Sequence, residues 1–152
     1  MTQTGTSTER VSTAPGLPES QFDARERERR TRRIERLDSI AQDRIQLADR
    51  HQYYAKQVHR LVHSMVLPGS RVLEVGCGLG DLLASLKEVT SIGIDISPRM
   101  IEQAKQRHPE LDLRVADADR DPLPQGPFDA IILSDAIGLL DDIQVTLERL
   151  KP

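Results

Sequence analysis

Glu74, Gly76, Gly78 and Gly80 stand at alternate positions in the stretch Val72-Leu73-Glu74-Val75-Gly76-Cys77-Gly78-Leu79-Gly80-Asp81-Leu82-Leu83. An apolar, β-branched run ends in a carboxylate, three glycines follow, and a second apolar run begins. That pattern predicts a buried strand, a turn made almost wholly of backbone, and the start of a helix. Three missing Cβ atoms let a ligand approach the main chain. A helix start adds unpaired N–H groups and a partial positive charge. The stretch therefore reads as a small-molecule site at a strand-to-helix turn. Cys77, the only cysteine, has no intrachain disulfide partner and reads as a small packing residue of the turn rather than a nucleophile.

Spacing and charge narrow the ligand. A dinucleotide fingerprint places its third glycine three residues after the second, whereas here Asp81 holds that position. A carboxylate at the mouth of the helix opposes the pyrophosphate that such sites bind. With Glu74 beside it, the turn suits a ligand carrying an amino group.

The elements downstream repeat one theme. Ser91-Ile92-Gly93-Ile94-Asp95 is a second short strand ending in an acid, 21 residues after Glu74; in a βαβ unit such an acid can take two ribose hydroxyls. Ser97 and Pro98 cap a helix whose apolar face is Met100, Ile101 and Ala104. Leu111 to Ala116 alternates as a third strand before Asp117-Ala118, and Phe128 to Leu133 is a fourth, ending at Ser134-Asp135. Each strand delivers polar residues at its C-terminal end, where open α/β sheets bind ligands.

Glu74-x-Gly76-x-Gly78-x-Gly80, followed in order by Asp95, Asp117-Ala118 and Phe128-Asp129-Ala130-Ile131, resembles the first four motifs of class I S-adenosylmethionine-dependent methyltransferases. The resemblance runs from about residue 53 to the end. It implies a Rossmann-like, doubly wound α/β sheet and S-adenosylmethionine as cofactor. By the same resemblance Glu74 faces the methionine amino end and the turn Gly76-Cys77-Gly78 with Gly80 is the close backbone contact. Asp95 takes the ribose diol, Ile96 and Met100 lie against the adenine, Asp117 accepts from its amino group and the Ala118 N–H meets a ring nitrogen. Ser134 and Asp135 end nearest the transferred methyl, with Asp135 as the candidate base. Tyr53 and Tyr54, just upstream of the first strand, fit either an aromatic closing over the methionine part or rings packed between the N-terminal helices and the core.

In the family, the helix read over residues 142–150, with Ile143, Leu147 and Leu150 on one face, precedes a fifth strand. The sequence given stops at Leu150-Lys151-Pro152, so the expectation is a domain truncated after the fourth strand, whose apolar Ile131-Ile132-Leu133 edge invites self-association. The tract from Tyr53 to Leu140 also resembles the methyltransferase half of bifunctional methyltransferase–glycosyltransferase proteins. The acceptor is open among small molecules, lipids and glycans. The segment Ser134-Asp135-Ala136-Ile137 lacks the Asn-Pro-Pro-Tyr signature of nucleic-acid amino methyltransferases, so no nucleic acid is expected. Two alternatives remain: a non-catalytic cofactor-binding or assembly module, and a nicotinamide-dependent oxidoreductase.

Composition sets the frame. A chain of 152 residues is about one domain. It has no apolar run of membrane-spanning length, and its polar N-terminus is not a signal peptide; with one cysteine this points to the cytoplasm. Residues 1–20 are rich in Thr, Ser, Pro and Gly and are expected to be disordered. Residues 21–50 read as a helical arm with an apolar stripe of Ile34, Leu37, Ala41, Ile45 and Ala48, which suits a coiled-coil arm, a cap over the ligand site or a helix docked on the core, and 51–152 as the partial cofactor-binding domain. A second helix from about residue 52 should turn Val58, Leu61, Val62 and Met65 inward. The arm together with the tail before it (residues 1–50) carries net charge +1 against −4 for residues 51–152. Its basic cluster over 26–33, interleaved with acids, reads as a solvated helix face. The four histidines show no metal-ligand spacing with acids or cysteine.

Overall fold

Four parallel strands in the order β3-β2-β1-β4 form the sheet of the computed structural model, which describes residues 24–48 and 52–151. The stretch 1–20 lies outside the described residues. The strands are β1 (Arg71–Val75), β2 (Thr90–Asp95), β3 (Asp112–Val115) and β4 (Ala130–Ile132). Helices α1 (Ala24–Ala48) and α2 (Gln52–Met65) precede them; α3 (Asp81–Ser85) and α4 (Pro98–Arg107) make the crossovers that parallel pairing demands. A 3-10 turn (Ile137–Leu139) and α5 (Ile143–Arg149) follow β4.

Register positions the acids. Glu74 lies opposite Gly93 on one side and Ile132 on the other, and Asp95 lies opposite Val115. The chain leaves β1 for β2 on one flank and returns for β4 on the other. The C-terminal ends of β1 and β4 thus flank a topological switch point, where such sheets open a crevice.

Alternation along the strands splits the core in two. Val72 packs with Cys77, Leu83, Ile101, Ala104 and Leu113 on the α4 side. Leu73 and Val75 pack with Ile92, Ile94, Ala116 and Ala118 on the other, backed by Phe128, Leu140 and Leu150. Val72, Leu73 and Ile94 are essentially fully buried, each worth about 1.5–3 kcal/mol of transfer energy. Gly93 is part of this packing: a Cβ there would come within 2.7 Å of Leu113 and 2.9 Å of Cys77 and Leu83. The predicted cap of α4 is present, with Ser97 Oγ accepting from the Met100 amide at 3.0 Å and Pro98 in the first turn.

Two inward faces differ from expectation. On α2, Val58 and Val62 are half-buried but Leu61 and Met65 are exposed. The helix rests on α3, which at five residues covers only a narrow strip of it. On α5, Thr146 is fully buried and Leu150 joins the core, while Ile143 and Leu147 point outward. Asp119 draws Thr146 inward by accepting its hydroxyl, and that rotates the Ile143–Leu147 ridge away from the sheet. The fourth strand is also shorter than Phe128 to Leu133, and its residues are half-buried, as befits a strand that among the described residues pairs with β1 alone.

Helix α1 docks on the sheet's C-terminal end rather than projecting from it. Leu37 and Ala41 are buried, the latter with Leu79 and Met100. The side chains of Ile45 and Ala48 lie outside the described residues.

Candidate active site

Gly76, Gly78 and Gly80 have φ of +74°, +52° and +78°, a region L side chains enter at a cost of about 1–2 kcal/mol. That backbone path folds the turn back onto β2. The Gly76 and Cys77 amides donate to the Ile94 carbonyl at 2.7 and 3.0 Å, the Gly80 amide donates to Cys77 O at 2.9 Å, and the Gly78 amide donates to Asp95 Oδ2 at 3.0 Å. Four of the turn's amides are therefore used within it. A phosphate cradle needs such amides pointing outward.

Asp81 also differs from its expected role. Its carboxylate receives Arg107 Nε at 2.7 Å and His108 Nε2 at 2.8 Å, so its charge is answered by the end of α4 rather than aimed into the crevice.

Glu74 is 3 % exposed, and its Oε2 has no hydrogen-bond partner. Burial, then the nearby charges of Asp95 and Asp81, push its carboxyl up to about 8. A buried acceptor without a partner costs about 1–3 kcal/mol, and a cationic or N–H donor from a ligand removes that cost. Asp95, also buried, accepts from Gly78 N and, at 2.9 Å, from Ser97 N. Burial raises its carboxyl, and these two amides pull it back. Each oxygen keeps a lone pair for a ligand hydroxyl. Burial likewise pushes the Cys77 thiol up, which leaves it un-ionised and inert, in keeping with a packing role.

The crevice between α1 and the strand ends is a cavity of about 40 Å³, lined by Val75, Gly76, Asp95, Ile96, Asp117 and Ala118 below and by Arg33 and Leu37 of α1 above. Met100 is buried under α1 and is not part of this lining. Ala136 closes the far side, against Gly76. Half-buried Ser134 lies next to exposed Asp135, whose φ is +56°. Asp135 Oδ1 accepts from Tyr54 OH at 2.8 Å, and this contact raises the phenol's pKa. Tyr53 is 78 % exposed, so of the two rings Tyr54 is the one turned to the strand ends.

Asp117 is the residue whose surroundings sequence reasoning missed. It is 2 % exposed and paired with Arg30 and Arg33 of α1. Those arginines belong to the cluster read as a solvated face; the fold turns two of them onto acids some 84 to 91 residues away.

Comparison with known proteins bears on the family and the fold. Residues 72–151 match the model of the methyltransferase domain. The chain is 36% identical over 109 residues to aklanonic acid methyltransferase DauC of a Streptomyces species, covering 64% of this chain and 50% of that protein. It is 38% identical over 69 residues to demethylmenaquinone methyltransferase of Beutenbergia cavernae, covering 44% of this chain and 29% of that one. Among solved structures it superposes on a complex of the Haloferax volcanii Trm112 methyltransferase activator and a putative methyltransferase. The TM-score is 0.63 at 30% identity, with 75% of this chain and 53% of that chain covered. The chain thus spans half or less of the length of these curated relatives. With the match running over more than half of its residues, the chain belongs to the methyltransferase domain family, in its class I, S-adenosylmethionine-dependent branch.

Proposed function

We propose that the strand ends bind S-adenosylmethionine and that the protein moves its methyl group to a small-molecule, lipid or glycan acceptor. The observation that carries this reading is Glu74: a buried carboxyl with an unpartnered oxygen, at the end of β1, beside a turn stripped of side chains. A ligand ammonium answers that oxygen and ionises the group. Asp95 offers its spare lone pairs to the ribose hydroxyls, Ile96 an apolar wall to the adenine, and Asp117 with the Ala118 amide the polar edge that reads it. The sulfonium cofactor, when bound, supplies an already activated methyl, so the protein's task is positioning. Asp135 takes the acceptor's proton, and Tyr54 holds its carboxylate in place.

A nicotinamide-dependent oxidoreductase is disfavoured because four of the turn's amides are spent on Ile94, Asp95 and Cys77 and the third glycine of the dinucleotide spacing is replaced by Asp81. The assembly-module reading draws on β4, whose outer edge has no strand partner among the described residues. A second copy of the chain pairing there is our reading of its self-association. No described helix is long and apolar enough to cross a membrane, and a cytoplasmic location suits the lone thiol. Titration calorimetry with S-adenosylhomocysteine and with NADH tests the ligand class. Saturable binding of the first and weak binding of the second is expected; the reverse order overturns the proposal.

A further inference from the structure

Asp117, assigned above to the adenine, already has one carboxylate oxygen filled from α1. Its Oδ2 accepts from Arg30 Nε at 3.0 Å and from Arg33 Nη2 at 2.8 Å, which uses both lone pairs of that oxygen. Its Oδ1 accepts from the Asp119 amide at 3.2 Å. The same two guanidiniums continue outward: Arg33 Nη1 donates to Asp119 at 3.2 Å and to the Leu139 carbonyl at 3.3 Å, and Arg30 Nη2 donates to Asp121 at 2.8 Å. Farther along the helix, Asp38 accepts from the Ser97 hydroxyl and, at 3.2 Å, from the Arg99 amide. Helix α1 is thereby tied to the loops after both β2 and β3.

Among the described residues, the space beneath it at the Asp95 and Asp117 end of the crevice is small. About 40 Å³ holds a few waters, whereas pockets for ligands of this kind run to about 300–1,000 Å³. The floor is the packed sheet, with Val75 and Asp95 buried and Asp95 bonded to backbone on both oxygens. The roof is one helix that meets the floor through Leu37, Ala41 and a set of ion pairs. Arg30 and Arg33 keep 31 % and 16 % of their side-chain surface in solvent. The Arg30–Asp121 pair, 31 % and 36 % exposed, is open to solvent and weakened by salt, whereas the Arg33–Asp117 pair, 16 % and 2 % exposed, is screened much less.

We propose that α1 is a latch: Arg30 and Arg33 hold the carboxylate that the adenine needs, and the cofactor enters only when the helix lifts from the loop carrying Asp117, Asp119 and Asp121. The inference rests on the assignment of Asp117 to the adenine edge. Binding then selects the open form, so the apparent dissociation constant is the intrinsic one divided by the open fraction. Loosening the ion pairs raises that fraction without touching the rest of the site.

The experiment uses the whole 152-residue chain. S-adenosylhomocysteine is titrated into the native protein, the double variant Arg30→Gln/Arg33→Gln, and Asp95→Ala, each at low and high KCl. Amide hydrogen exchange of α1 is followed in the native protein with and without the ligand. The latch predicts that the double variant binds at least about tenfold more tightly at low salt. It predicts that native affinity rises with KCl while the variant's does not, and that α1 exchanges faster once ligand is added. Should the double variant fail to fold, the salt dependence and the exchange of native α1 decide alone. Equal affinity of native and double variant, with Asp95→Ala weaker than both, overturns the latch and leaves the cofactor site standing. Slower exchange of α1 on binding also overturns it, since the helix would then close over the ligand instead of yielding to it. Absence of binding in every protein at every salt concentration removes the site assignment, and the latch with it.

Discussion

The Cβ that Gly76 lacks would sit 2.6 Å from the Cβ of Ala136. This near-contact brings the segment after β4 against the glycine turn after β1, and so sets Ser134 and Asp135 beside the cofactor crevice. Gly76 also has φ +74°. Gly76→Ala is expected to combine overpacking with a left-handed alanine and to cost about 2–4 kcal/mol. Gly138→Ala, where a Cβ meets nothing within 4 Å, should stay within about 0.5 kcal/mol of native. Urea unfolding of the two variants checks the contrast.

Glu74 makes stability depend on pH in a defined sense. Its carboxyl is raised from 4.5 in the unfolded chain to about 8 in the folded one. The folded state therefore holds a proton that the unfolded state has released between those values. Stability from this group is fully present below about pH 4.5, falls as pH rises, and is lost above about pH 8; the span amounts to roughly 3–5 kcal/mol. Glu74→Gln should flatten the stability profile over this window and be the more stable protein at pH 8. An unchanged slope in the variant would assign the dependence elsewhere.

The same residue predicts a proton count. If a ligand ammonium ionises Glu74, binding of S-adenosylhomocysteine at neutral pH releases close to one proton. Calorimetry in buffers of differing ionisation enthalpy measures it, and Glu74→Gln should abolish the buffer dependence.

Thr146 is fully buried and donates its hydroxyl to Asp119, whose other oxygen takes the Asp141 amide at 2.9 Å and Arg33. Thr146→Val keeps the shape and removes the donor, leaving a buried carboxylate oxygen short of a partner. A loss of about 1–3 kcal/mol is expected. It should appear as a lower urea midpoint with an unchanged slope.

The outer edge of β4 gives a further expectation. Sedimentation of the 152-residue chain should show concentration-dependent association. Ile132→Pro should reduce it: the Asp129 amide donates to the Arg71 carbonyl, so by alternation the Ile131 amide faces β1 and the Ile132 amide faces the open edge, where proline removes a donor. A monomer at all concentrations would exclude pairing through this edge.

Much of the site could be read from short-range chemistry. The run from Glu74 to Gly80 and the span from Asp95 to Met100 are legible because a strand end, a positive-φ turn and a Ser-Pro cap each depend on a few neighbouring residues. The residues that fasten α1 were not legible. Arg30 and Arg33 look like any other arginine in an alternating charge run, and their partners lie far away in sequence. The inward faces of α2 and α5 were misjudged for a related reason. Periodicity marks Leu61, Met65, Ile143 and Leu147 as apolar, but which ridge turns inward is set by the shortness of α3 and by the buried acceptor on Asp119.

The central claim, that the ends of β1 and β2 hold the cofactor, is tested most directly by titrating S-adenosylhomocysteine into native protein and Asp95→Ala at high salt. Loss of a charged acceptor for two hydroxyls should weaken binding about ten- to hundredfold. Equal affinity in the two proteins would contradict the assignment.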